Sequence, residues 1–213
     1  MRVLAVDTAL GACSVAVLDG EKILSHRSEE MARGHAEALA PMVERAMAGI
    51  AFDSLDRLAV TTGPGTFTGQ RVGLAFMRGL RIVLRKPLIG VTTLEVMAIA
   101  TEADRAAAIH DAKRDEAYLL LWENGRVVLE PVVMDFAAAL ERIKAFGPCA
   151  LAGTGAPAAA ASLGAGFSLS PVRQPDAVWV GRLALTSPVA DTAPAPLYLR
   201  APDAKLPQGS KPL

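Results

Sequence analysis

The sequence predicts an α/β fold built from two βββαβα-type halves, the second shortened. Three observations carry this. The chain opens with three strand-like runs, a later strand passes through glycines directly into a long helical pattern, and the strand-rich opening returns near residue 105. The expected domains are residues 1–104 and 105–213.

Arg2 to Asp7 form a nearly continuous apolar run, as in a strand covered on both faces. A second run, Cys13 to Leu18, turns at Asp19-Gly20 into a third, Lys22 to His26, and an Asp-Gly pair between two such runs signals a hairpin. From His35 the period becomes helical, with Ala38, Leu39, Met42, Val43, Ala46, Met47 and Ile50 recurring on one face. A helix to Gly49 follows, with Pro41 as a kink or an opening turn. Residues 57–62 read as a strand, 87–91 as a short one, and a helix after Thr92 places Leu94, Met97, Ala98 and Thr101 on one side. In the second half, strands over 106–112, 117–122 and 126–133 surround an Asn124-Gly125 turn. A helix over 136–146 and a strand over 149–152 come next. Residues 156–175 are rich in Ala, Gly, Ser and Pro, residues 176–186 suit one more helix, and the polar tail is expected to be mobile at its end.

The stretch Gly63-Pro64-Gly65-Thr66-Phe67-Thr68-Gly69-Gln70-Arg71-Val72-Gly73 follows the apolar Leu58-Ala59-Val60 and opens a helix to about Arg85. A helix start leaves unpaired N–H groups that can hold an anion or a partner's side chain, and Thr66 or Thr68 suits the N-cap. No G-x-x-x-x-G-K-[ST] string is present, so the phosphate signal is weak. Gly69 and Gly73 lie one turn apart, a small-residue face that another helix can approach closely. Phe76, Leu80 and Leu84 carry an apolar stripe, and Arg71, Arg78, Arg81 and Arg85 read as a solvated face.

The chain has 213 residues, 52% of them apolar, enough to bury a real core. Lys plus Arg and Asp plus Glu each number 22, giving a formal charge of zero. A protein gripping RNA alone shows a basic excess, so any nucleic acid is expected to be held through a partner. Cys13 and Cys149 have no CxxC spacing and read as buried thiols. No apolar stretch reaches the ~18 residues of a membrane span, and the expected setting is the cytoplasm.

Catalytic signals are sparse. Ser14, Ser25 and Ser28 lack a G-x-S-x-G elbow, and His26, His35 and His110 show no ligand spacing, so neither a catalytic residue nor a metal is expected. Asp7 and Thr8 end the first strand, where a carboxylate can position Mg²⁺; a strand-end cap is the favoured reading. Gly153-Thr154-Gly155 is a short glycine segment after the strand over 149–152.

Two such halves with an aspartate after the first strand resemble the actin, Hsp70 and sugar-kinase superfamily, whose members bind ATP between the halves, and the resemblance implies at most a vestigial nucleotide site at Asp7, Thr8, Gly153, Thr154 and Gly155. Several runs together look like the bacterial TsaB (YeaZ) family over nearly the whole chain. They are Val-Asp-Thr with Cys13-Ser14-Val15-Ala16, Gly-Pro-Gly-Thr-Phe-Thr-Gly-Gln-Arg-Val-Gly, Ile-Gly-Val-Thr-Thr-Leu-Glu, Asp111 to Tyr118 and the closing Pro-Leu-Tyr-Leu-Arg.

The resemblance implies a non-catalytic subunit that pairs with a larger catalytic relative, TsaD, to place threonylcarbamoyl on the adenosine beside the anticodon of tRNAs reading ANN codons. It also implies a homodimer when alone, an ATPase, TsaE, joining through the complex, and tRNA met only there. No cofactor of its own is implied, with ATP or ADP confined to a subunit interface. The catalytic relative carries a His-x-x-x-His metal site where this chain has Thr93 and Met97, poor ligands for such a metal. The implied contact is the pair of helices starting at His35 and Thr68, with Met42, Ala46, Phe67, Gly69, Arg71, Gly73, Phe76, Met77 and Arg78 as its residues. Phe76 suits core packing as well as contact, and Phe67 at the loop tip suits contact best. The rival readings are a small superfamily phosphotransferase working through Asp7 and, more distantly, a metalloprotease.

Overall fold

The computed structural model describes residues 1–200. The expected mobility of the tail's end falls on residues 201–213, outside the described residues. In chain order the elements are β1 (Arg2–Asp7), β2 (Ala12–Asp19), β3 (Lys22–Glu30), α1 (His35–Ala46), β4 (Arg57–Thr61), α2 (Phe67–Leu84), β5 (Leu88–Val91) and α3 (Thr93–Ile99). The second half adds β6 (Arg105–Lys113), β7 (Glu116–Glu123), β8 (Arg126–Asp135), α4 (Phe136–Phe146), β9 (Cys149–Ala152), α5 (Ala156–Leu163), β10 (Phe167–Leu169) and α6 (Ala177–Thr186).

Two five-stranded sheets result, ordered β3-β2-β1-β4-β5 and β10-β9-β6-β7-β8. In each, an antiparallel meander is extended by parallel strands through crossover helices. The second half therefore repeats every element of the first. It is shortened by length rather than by omission, since α5 has 8 residues where its counterpart α2 has 18. Residues 156–175, which the sequence characterised by composition alone, hold α5 and β10. Alanine and glycine carry little periodic signal, and the pairing of Phe167 with Cys149 supplies what composition could not.

Helices α1 and α2 cover one face of the first sheet through Leu39, Met42, Val43, Leu74 and Met77. The other face is covered by α6, whose Ala177, Val180 and Ala184 pack on Ala5, Ala16 and Ala59. Reciprocally, α3 of the first half lies on the second sheet, where Leu94, Met97 and Ala98 meet Ala106, Ala108 and Leu120. A cut at residue 104 thus divides the sequence but not the packing. Arg57 fixes α6 by donating to the Ala184 and Ser187 carbonyls, both at 2.8 Å, at the helix end where orphan carbonyls need partners.

Two boundaries differ from expectation. Helix α1 stops at Ala46 rather than near Gly49, since the chain enters a turn in which Gly49 takes a positive φ of 77°. Strand β3 continues to Glu30, beyond the expected end at His26. It is a polar edge strand, so its paired residues leave no apolar alternation to read.

Five expected contact residues are corrected. Met42, Ala46 and Met77 are fully or almost fully buried between the first sheet and its own helices. A Cβ on Gly69 would lie 2.2 Å from the Thr8 carbonyl oxygen, and one on Gly73 would lie 2.7 Å from Thr8 Oγ1. That small-residue face is taken by the β1–β2 connection of the same chain. It admits no second helix.

Candidate functional site: a sealed strand end, a cleft rim and the crest of α2

The loop between β4 and α2 is closed by its own chain. Thr66 caps α2 by accepting from the Gly69 N–H at 3.1 Å, and its own N–H donates to the Ala9 carbonyl at 2.8 Å. A Cβ on Gly65 would sit 2.3 Å from that same carbonyl. The glycines thus serve close packing against the β1–β2 connection, and the loop does not stand open as a phosphate cradle.

Asp7 is fully buried at the end of β1. Its Oδ1 accepts from the Thr61 hydroxyl at 2.6 Å and from the Ala9 N–H at 3.2 Å, while Oδ2 has no partner among the described residues. Burial raises its pKa to about 7, against the lowering effect of those two bonds. Thr8, beside it, spends its hydroxyl on α2.

The second glycine segment is placed differently. Gly153 takes a positive φ of 99°, with the Ile109 carbonyl only 2.3 Å from where a Cβ would stand. Thr154 Oγ1 accepts from the Asp111 N–H at 3.0 Å and lies 3.2 Å from His110 Nδ1. Thr154 lines two neighbouring cavities. One, of about 330 Å³, is bordered by Leu10, Thr66, His110 and Lys113; the other, of about 470 Å³, by Arg114, Glu116, Phe136 and Gly155. Burial lowers the His110 pKa to about 4, so the imidazole is neutral. Asp7 and Thr8 border neither cavity. The expected nucleotide residues are therefore split into a sealed pair and a rim group. Sequence reasoning missed His110 and Lys113 of the rim; the visible signal was the Asp111 to Tyr118 run, which contains Lys113 and begins one residue after His110.

At the start of α3, Thr93 and Met97 are both fully buried, the latter in the apolar layer shared with the second sheet. Among the described residues no three His, Cys, Asp or Glu side chains gather as a metal would require. Also among those residues, no helix is long and apolar enough to cross a membrane.

The remaining expected contact residues lie along α2. Phe67 is 55% exposed, its ring stacks on Tyr198 with centroids 5.8 Å apart, and the Arg71 guanidinium lies 3.5 Å from the Phe67 centroid. Arg71 Nε donates to the Tyr198 hydroxyl at 2.7 Å, and Arg78 donates twice to the Pro194 carbonyl, at 3.1 and 2.5 Å. Both arginines thus hold the chain's own C-terminal segment against α2. Phe76 is half-buried against the α1 side of the core. The outermost line of the helix is Ala75, Gly79, Ile82 and Val83. Among the described residues Gly79 has nothing within 4 Å of its would-be Cβ, and Ile82 and Val83 are 75% and 77% exposed. Sequence reasoning did not single these out, because they fall between the apolar stripe of Phe76, Leu80 and Leu84 and the arginine face.

The family profile described as TsaD, tRNA N6-adenosine threonylcarbamoyltransferase, matches residues 22–184. The structure of YeaZ from Pseudomonas aeruginosa superposes with a TM-score of 0.80 at 30% identity, covering 93% of this chain and 99% of that one. The chain belongs to the TsaB/YeaZ family. Curated TsaB/YeaZ relatives are the tRNA threonylcarbamoyladenosine biosynthesis proteins TsaB of Haemophilus influenzae, 37% identical over 143 residues, and of Escherichia coli, 38% identical over 124. Those matches cover 64% and 55% of this chain, and the chain spans 58% and 53% of those relatives' own length.

Proposed function

We propose that this chain is a non-catalytic subunit in the threonylcarbamoylation of the adenosine beside the anticodon of tRNAs reading ANN codons, and that it works by docking a TsaD-type catalytic protein on the outer crest of α2. The single observation that carries the docking part is Gly79. A glycine inside an exposed helix costs about 1 kcal/mol relative to alanine, and no contact among the described residues requires it. Ala75, Gly79 and Val83 make a low apolar ridge on which another helix can seat closely. The pathway is supported by the names of the curated relatives.

Support for a non-catalytic role comes from the two places where chemistry would have to sit. Thr93 and Met97 are core residues, and Asp7 is walled in behind Thr61 and the capped start of α2. Neither position offers a reacting group to a substrate. Any ATP or ADP contact falls at a subunit boundary on the rim that carries Lys113 and Thr154, with no nucleotide held by this chain alone. The TsaE ATPase joins through the complex, and the lone chain pairs with itself on the same ridge. The cytoplasm is the setting this work requires.

Depleting the chain and measuring threonylcarbamoyladenosine in bulk tRNA by mass spectrometry tests the reading. The modification should disappear and return on re-expression. Undiminished modification after depletion would sink it, as would turnover of ATP and tRNA by the purified chain alone.

A further inference from the structure

We propose that the arginine flank of α2, with the concavity at its C-terminal end, is an RNA-contacting edge of this chain; that the RNA is a tRNA rests on the function proposed above. At 100° per residue, Arg71, Arg78, Arg81 and Arg85 fall within a sector of about 80°, and they span about 21 Å of helix. The sector adjoins the docking ridge but is distinct from it. Three of the four donate to neutral acceptors, Arg71 to the Tyr198 hydroxyl, Arg78 to the Pro194 carbonyl and Arg81 to the Asp191 carbonyl. None of the ion pairs found among the described residues involves any of the four. Among the described residues, their charge is oriented by the C-terminal segment without being neutralised.

At the C-terminal end of α2 the flank opens into a cavity of about 450 Å³, lined by Arg81, Arg85 and Lys86 with Asp191 as its single carboxylate among the described residues. At the other end stand the exposed Phe67 and Tyr198 rings, stacked on each other, with the Arg71 guanidinium 3.5 Å from the Phe67 centroid. Cations along one line bind phosphates, and aromatic or guanidinium faces stack unpaired bases. An acidic protein would match the charge but has no particular use for the stacked rings, so RNA is the better fit. The zero formal charge of the chain is a sum over its whole length, and it does not describe this flank.

The test is a fluorescence-anisotropy titration of an unmodified tRNA transcript with the full chain, from about 25 to about 200 mM KCl. Wild type is compared with Phe67→Ala and with a triple variant, Arg81→Gln with Arg85→Gln and Lys86→Gln, folding being checked by circular dichroism. Wild type should bind at the lowest salt. The triple variant should bind about tenfold more weakly, with a log–log salt slope reduced by about 2 to 3, because each phosphate contact contributes about 0.7 to 0.9. Phe67→Ala should bind several-fold more weakly with its slope unchanged, since stacking releases no counterion. Equal affinities and slopes, or no binding by wild type at low salt, would overturn the proposal. So would a triple variant that loses a TsaD-type partner on co-purification while titrating tRNA like wild type, which would assign the flank to an acidic protein. The titration is read on the purified chain and the modification in depleted cells, so either idea can fail while the other stands.

Discussion

The hydroxyl of Thr8 is inserted into the ladder of α2 at Gly73: it accepts from the Gly73 N–H at 3.0 Å and donates to the Gly69 carbonyl at 2.7 Å. Those are the two groups that one i→i−4 bond would join. The insertion ties the end of β1 to the helix and makes both glycines necessary, since a Cβ at either position would displace Thr8.

The two glycines of α2 that look alike in sequence should therefore respond oppositely to alanine. Gly73→Ala forces Thr8 or Val60 to move and should destabilise by about 1–3 kcal/mol. Gly79→Ala meets open space and should stabilise by up to about 1 kcal/mol. Urea midpoints of the two variants decide the matter, and shifts of the same sign would contradict the packing described.

If the ridge is the docking surface, Gly79→Leu or Val83→Glu should abolish co-purification with the catalytic protein while thermal melting stays within a few degrees of wild type. Gly73→Leu is the informative contrast. It should fail to give a folded monomer, because its side chain has no room inside the chain's own core.

His26 and Asp176 form a clip at the start of α6, with Nε2 and Oδ2 2.8 Å apart, and this hydrogen bond raises the imidazole pKa above 6.5. A histidine whose folded pKa is raised contributes stability that is complete below its unfolded pKa and is lost as pH rises through the folded one. The difference in melting temperature between wild type and His26→Gln should be largest below the unfolded imidazole pKa of about 6.5 and shrink as the pH rises above it. Asp176 keeps its cap on the Val178 N–H through Oδ1 in both ranges.

Asp7 has the opposite linkage to that of most carboxylates. Its folded pKa, about 7, lies above the unfolded value, so the native state binds the extra proton between roughly pH 4 and 7 and stability falls as pH rises through that window. Asp7→Asn removes the burial of charge and should be more stable than wild type at pH 8, with an advantage that shrinks towards pH 4. Full support of tRNA modification by this variant in depleted cells is expected. A variant that folds but no longer supports modification would show that the carboxylate is used.

Much of the architecture was legible in local pattern. The Asp19-Gly20 hairpin, the Asn124-Gly125 hairpin and the strand into α2 all follow from turn chemistry and period, and the return of three strands after Arg105 revealed the repeat. The string from Gly63 to Gly73 also carried the family resemblance. What local pattern could not supply was α5, β10 and the far end of β3, where the residues are small or polar and the order comes from pairing with a neighbouring strand.

From its amino acids alone, the chain determined which residues share a face of α2, because a period of 3.6 is a local property. It did not determine which face the rest of the molecule would cover. That was decided by contacts across 61 and 65 residues, from Thr8 to Gly69 and Gly73. They turned the expected partner face inward and left Ala75, Gly79 and Val83 as the outer one. The same long-range closure drew Pro194 and Tyr198 back over α2, and so converted Arg71 and Arg78 from free surface charges into clamps on the C-terminal segment.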